Sequence, residues 1–197
     1  MTDIRIKTAK GPTILLQSGH YFDLTDPAGS RFQLDDIAHG LANTCRFAGQ
    51  CRRFYSVAEH CWHASYLVPD ELRLAALMHD ASEGFIGDVT RPLKSLLPAY
   101  KAIEGEIERV IAERFGLGES CSDPLVKRAD MTMLAAEQRE LMPGKAGEWA
   151  CLAGIDAVPI SFKFWDPMEA KERWLDRFSQ LANIFPSREL EYWPEAA

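Results

Sequence analysis

The stretch ELRLAALMHDASE, residues 71–83, decides how the chain is read. Leu74, Ala75, Leu77 and Met78 leave little polar circumference. That pattern predicts a largely buried helix, started by Pro69-Asp70, running from Glu71 to about Ser82 and stopped by Gly84 and Gly87. His79 and Asp80 interrupt the apolar run. An unpaired carboxylate is costly to bury, so the pair needs a cation or a dense hydrogen-bond network. Taken alone, such a dipeptide reads as a core histidine whose bonds are satisfied locally.

The neighbouring segments supply more polar groups on apolar faces. Ser56-Val-Ala-Glu59 has capping-box spacing, the serine and glutamate satisfying free donors at a helix start, and predicts a helix from 57 to about 68 with His60 in its first turn. Tyr100, Ile103, Ile107, Val110, Ile111 and Phe115 recur at helical spacing up to Gly116. Asp123-Pro124 caps a further helix to about Leu141, in which Asp130 lies one turn from Val126 and Leu134. A last helix over 168–183 buries Trp174, Leu175, Phe178 and Leu181.

Nearer the N-terminus, Thr13–Gln17 and Tyr21–Leu24 read as a small hairpin around Ser18-Gly19-His20. A helix begins at Asp35 or Asp36 and carries Ile37, Leu41 and Ala42, followed by an ordered loop over Thr44–Tyr55. Residues 143–154 read as a glycine-rich loop and Val158–Phe164 as extended. The expected fold is all-α, a helical bundle with a small N-terminal β-hairpin. One domain is expected over 1–197, divided into a hairpin extension (1–30), a core (34–141) and a loop with C-terminal helix (142–197).

At 197 residues, 47% hydrophobic and 26% charged, the composition is that of an ordinary globular chain. No apolar run is long enough to span a membrane. Met1–Lys10 lacks a secretory pattern, so a soluble, cytoplasmic protein is expected. Cys45, Cys51, Cys61, Cys121 and Cys151 contain no Cys-x-x-Cys pair and read as reduced thiols. A net charge of −7 argues against a nucleic-acid polymer as partner, though not against a nucleotide.

Two imidazoles and two carboxylates brought together from His60, His79, Asp80 and Asp130 form a donor set suited to manganese, cobalt, iron, nickel or zinc rather than magnesium. An octahedral ion so held keeps two positions open, enough for a phosphate oxygen and a water of lowered pKa. The pattern His60, His79-Asp80, Asp130 resembles the H…HD…D signature of the HD phosphohydrolase superfamily. Ser56-Val-Ala-Glu-His60, His79-Asp-Ala-Ser-Glu83, Gly87-Asp88 with Pro92 and Lys94, and Leu125-Val-Lys-Arg-Ala-Asp130 resemble its 5′-deoxynucleotidase branch and the phage relatives that hydrolyse dATP.

The resemblance covers roughly residues 40–140 and implies an HD-domain helical fold with one divalent transition metal. It implies hydrolysis of a (deoxy)nucleoside 5′-monophosphate, a small-molecule substrate, by metal-activated water. The alternatives are a dNTP triphosphohydrolase using Arg52, Arg53 or Arg91, and an inactive nucleotide-binding protein. Glu83 would orient or deprotonate the water, and its place at the C-terminal end of a helix, where negative charge is unfavourable, calls for a local reason. Asp88 would stand beside the leaving group or sugar, Arg46 and Lys94 would meet the phosphate, and Phe47 would lie near the sugar, where the branch carries a larger Trp. Each also has a plainer reading as a cap, a surface ion pair or packing. His39 and His63 read as neighbours of the site, and Trp149 and Trp165 as core or pocket cover. Helical families of this size commonly pair, so a homodimer is the expectation.

Overall fold

The apolar run of 71–83 folds as a short helix and not as one long one. A computed structural model describes residues 11–144 and 149–184; Met1–Lys10 and positions 145–148 of the expected loop lie outside the described residues. A 3₁₀ turn over Asp70–Leu72 leads into helix α3, Arg73–Met78, in which Leu74 through Met78 are all buried. The expected continuation to Ser82 is replaced by tight i→i−3 turns, Ala81 N–H to Met78 O (3.0 Å) and Glu83 N–H to Asp80 O (2.9 Å). A fresh helical turn, α4, then spans Glu83–Ile86. His79-Asp80 therefore sits at a break between helices, and Glu83 opens a helix where the sequence placed it at the end of one. The unfavourable-dipole argument for Glu83 is withdrawn accordingly, since the first turn of a helix favours negative charge.

The break follows from packing against helix α1, Leu34–Asn43. A Cβ added at Gly40 would stand 2.1 Å from the Gly84 carbonyl oxygen, and one at Gly84 would stand 3.0 Å from the Ile37 oxygen. Gly84 is thus a point of backbone contact between α1 and α4. The chain turns away at Gly87, whose φ of 77° suits glycine.

Helix α2, Val57–Ala64, starts as expected, with Ser56 Oγ accepting from Glu59 N–H at 3.1 Å. The reciprocal half of the capping box is absent. The buried Glu59 carboxylate instead accepts the backbone N–H groups of Lys163, Phe164 and Trp165, at 2.6, 3.1 and 3.0 Å. The α2 helix also ends earlier than position 68, passing through i→i−3 turns at Tyr66 and Leu67.

The expected loop over Thr44–Tyr55 contains a 3₁₀ turn at Arg46–Gly49, with Phe47 and Ala48 in the left-handed region (φ 55° and 51°). Its base is closed by a bridge between Cys45 and Ser56. After a short α5, Arg91–Lys94, two long helices follow: α6, Pro98–Arg114, and α7, Pro124–Leu141. Asp123 caps α7 by accepting Leu125 N–H at 2.8 Å. A 3₁₀ turn occupies Ala150–Leu152. Val158–Phe164 forms no strand, being held to the body by Glu59 and by the Arg139 guanidinium, which donates to the carbonyls of Ala157 and Val158.

Helix α8, Pro167–Ile184, buries Ala170, Trp174, Phe178 and Leu181 on one face and packs on α1, α2 and α3. The hairpin pairs β1, Thr13–Leu15, with β2, Tyr21–Asp23, in register Ile14 to Phe22. Phe22 stacks on Phe85 of α4 at 4.2 Å, fixing the hairpin to the same core. The mostly helical fold with a two-stranded hairpin agrees with the sequence reading.

The α1–α4 contact is directly testable. Gly40→Ala is expected to destabilise the protein by about 1–3 kcal/mol through overpacking, read from urea denaturation midpoints. An unchanged midpoint would mean that the two backbones do not meet there.

Candidate metal centre

The site is assembled from the end of α3, the first turn of α2 and the middle of α7. His60 is fully buried, and its Nδ1 faces Glu137 Oε1 while its Nε2 faces inward. His79 Nδ1 lies 2.8 Å from the Ala76 carbonyl oxygen, one turn back, which turns its Nε2 toward the same point. The two Nε2 atoms stand 3.3 Å apart. Asp130 Oδ1 lies 3.4 Å from His60 Nε2 and 3.9 Å from His79 Nε2, and Asp80 Oδ2 lies 3.6 and 3.2 Å from the same two atoms.

Donors held about 2.0–2.2 Å from one ion at right angles stand roughly 3 Å from each other, so these separations fit a shared ion. His60, His79 and Asp130 form a group able to hold a metal ion, with donor atoms all within 4.8 Å. Cys61, His79 and Asp80 form a second such group at the same spot. Burial pushes the Cys61 thiol up to about 11, so it borders the site as a neutral group. Each imidazole is oriented by a bond on its far nitrogen, as ligating histidines are.

Opposite charges at this point perturb one another strongly. Burial opposes protonation of His79, yet Asp80 outweighs it and holds the imidazole pKa well above its ordinary value. His60 is also raised: burial and Arg46 work against the proton, and Glu137 and Asp130 prevail. Burial would raise Asp80, but His79 brings it down to about 2, and the two imidazoles hold Asp130 well below the carboxylate range.

The sequence did not single out Glu137. This residue is fully buried on α7, two turns beyond Asp130, and accepts Tyr55 OH at 2.9 Å and Arg46 Nη2 at 3.0 Å while facing His60. Its only local signal is the helical repeat from Asp130 through Met133 and Ala136, both buried. Glu59 was read as a cap alone.

The other expected site residues divide into two groups. Arg46 is 7% exposed and reaches from Glu137 to Asp80, with Nη1 3.6 Å from Asp80 Oδ2 and Nε without a partner. Glu83 is buried with Oε2 unpartnered, and burial together with Asp80 and Asp88 lifts its carboxyl well above the ordinary value. Asp88 Oδ2 accepts Phe47 N–H at 3.2 Å, and the Phe47 ring lies 5.8 Å from that of Trp149.

Lys94, by contrast, is bonded to Glu104 at 2.6 Å. His63 faces Glu59 and the Phe162 and Trp165 rings, away from the metal group, and Trp165 is core beside Trp62. His39 is half-buried on α1, Arg53 covers the Phe164 ring, and Arg91 and Arg52 are exposed. A cleft of about 640 Å³ opens between α6 and α7, with His79, Asp80 and Asp130 in its wall.

No family model matches the chain. It is 43% identical over 157 residues to YfdR, an uncharacterized protein of Escherichia coli (strain K12), an alignment covering 77% of this chain and 85% of that one. It is 34% identical over 137 residues to an uncharacterized protein of Rhodobacter capsulatus, covering 63% and 70% of the two chains. No helix among the described residues is long and apolar enough to cross a membrane.

In metal-free protein the imidazolium groups of His60 and His79 act as the counter-charge. Raised folded pKa values mean that their contribution is complete below about pH 6.5 and is lost as pH rises through those values. The depressed Asp80 and Asp130 contribute above about pH 4 and lose that contribution as pH falls through their folded values. The melting temperature of chelator-treated protein is therefore expected to fall as pH is raised above about 6.5, and saturating divalent ion to abolish the fall. A flat or rising melting temperature without metal contradicts this charge arrangement.

Proposed function

The chain belongs to the family of YfdR, and we propose that it is a metal-dependent phosphohydrolase of the HD type acting on a (deoxy)nucleoside 5′-monophosphate. One observation carries the proposal. The inward imidazoles of His60 and His79, with Asp80 and Asp130, converge beside a buried Arg46 and a buried, unpartnered Glu83 oxygen. A purely structural cluster has no use for either group, since each is costly to bury without a partner. The resemblance of these residues to the HD signature supports the same reading.

Two neutral imidazoles and two carboxylates match the charge of one divalent transition ion, Mn, Co, Fe, Ni or Zn. When bound, such an ion supplies Lewis acidity to a phosphoryl oxygen and lowers the pKa of a water. Arg46, anchored on Glu137, offers its free Nε and a guanidinium edge to the developing charge on the phosphoryl oxygens. Glu83 Oε2 receives a proton from the attacking water, whose oxygen bonds to phosphorus as the ester P–O bond breaks. The departing alkoxide takes a proton from solvent, giving nucleoside and inorganic phosphate. Asp88 holds the left-handed Phe47 backbone and so fixes the turn that carries Arg46.

Incubating metal-loaded protein with deoxynucleoside and ribonucleoside monophosphates and dNTPs, and identifying the phosphorus product, tests the reaction. Inorganic phosphate from monophosphates is expected; intact triphosphate from dNTPs would replace this substrate assignment, and no turnover with any divalent metal would sink the enzyme. Glu83→Gln is expected to keep its metal and lose about 10²–10⁴-fold in kcat, the scale of general base catalysis. His79→Ala should lose both metal and activity, and wild-type metal content in that variant would contradict the ligand assignment.

A further inference from the structure

The Arg46 and Glu83 side of the centre gives the phosphoryl group its counter-charge and its base, but leaves the rest of the substrate unplaced. None of Arg46, Phe47, Glu83, Asp88 or Lys94 lines the cleft between α6 and α7, although His79, Asp80 and Asp130 do. A phosphoryl group at the metal donors therefore borders both. In-line displacement sets the attacking water and the leaving oxygen on opposite faces of phosphorus. With Glu83 serving one face, the cleft is left for the other.

Size and charge define what the cleft accepts. About 640 Å³ is far more than a phosphate requires and falls in the range of pockets for nucleoside-sized ligands. Its α6 wall includes Gly105, where an added Cβ would meet nothing within 4 Å, so the helix presents open space to the cleft in place of a side chain. Among its charged residues, Arg109 is already bonded to Glu106 and Glu113, leaving Glu108 and Glu119 against Lys127. Such a wall repels a polyphosphate tail and offers acceptors to hydroxyl and amino groups.

We propose that the α6–α7 cleft is the leaving-group site, holding the uncharged nucleoside portion of the substrate while the phosphate stays on the Arg46 side. This rests on the phosphohydrolase reading above.

Titration calorimetry on Mn²⁺-loaded full-length protein tests it with three probes: the four deoxynucleoside 5′-monophosphates, inorganic phosphate and inorganic tripolyphosphate. Gly105→Phe fills the cleft from an exposed helix position and is expected to weaken monophosphate binding by roughly ten-fold or more, as loss of pocket contacts does, while both inorganic probes bind as in wild type. Gly105→Ala, which improves helix propensity and adds one methyl group, is expected to raise the melting temperature and keep monophosphate binding, confirming that α6 tolerates substitution. Unchanged nucleotide binding in Gly105→Phe, equal weakening of tripolyphosphate, or no nucleotide binding by wild type overturns the assignment. If wild type turns over monophosphates while Gly105→Phe binds them normally, the cleft fails and the hydrolase stands. If binding is sensitive to Gly105 but wild type turns over no substrate, the hydrolase fails and the cleft stands.

Discussion

The carboxylate of Glu137 ties the metal centre to the rest of the molecule. Fully buried on α7, it gathers the imidazole of His60, the hydroxyl of Tyr55 and the guanidinium of Arg46. Burial opposes its ionisation, and Arg46 and His60 together reverse that, holding its pKa below the ordinary value. Each partner solves a problem for the others. Arg46 would otherwise be a buried cation facing Asp80 alone, His60 would lose the bond that turns Nε2 inward, and Tyr55 would bury an unpaired hydroxyl. Breaking a buried network of this kind by removing one member costs several kcal/mol, about 3–5 for a simple pair.

The same interaction explains why the loop over 44–55 is ordered although it contains little regular structure. Its two ends meet through Cys45 and Ser56, Arg46 N–H bonds Tyr55 O at 3.0 Å, and the side chains of Arg46 and Tyr55 converge on Glu137. Phe47 and Ala48 adopt left-handed backbone conformations within this frame, where only Asp88 answers Phe47 N–H from outside the loop. A second clamp, Glu59 on the three N–H groups of Lys163, Phe164 and Trp165, brings the stretch before α8 against α2 next to His60. Phe162 from that stretch meets Tyr55 edge-on at 5.4 Å, so the two clamps share a neighbour.

Those features of the sequence that act over a few residues were legible. Asp123-Pro124 capping a helix that ends at Leu141, the apolar face of α8 and the turn between β1 and β2 all arise from local geometry. His60, His79, Asp80 and Asp130 were also legible, because polar groups on apolar helical faces demand a partner. What the sequence hid depends on distant contacts. Nothing in residues 79–82 breaks a helix by itself; the break follows from the approach of Gly84 to Gly40 on α1. Glu59 has capping-box spacing, so its real partners more than a hundred residues away left no local trace. Glu137 lies in a helix rich in charge, where a glutamate ordinarily faces water, and only its phase relative to Asp130 marks it as buried.

The central claim is that two histidines and two aspartates, with no thiolate, hold one divalent ion. X-ray absorption spectroscopy of the protein reconstituted with one equivalent of Zn²⁺ tests this most directly. The account predicts a first shell of nitrogen and oxygen at about 2.0–2.2 Å with imidazole scattering from two histidines. A zinc–sulfur shell at about 2.3 Å, which would place Cys61 on the ion, or a shell without imidazole, would contradict it.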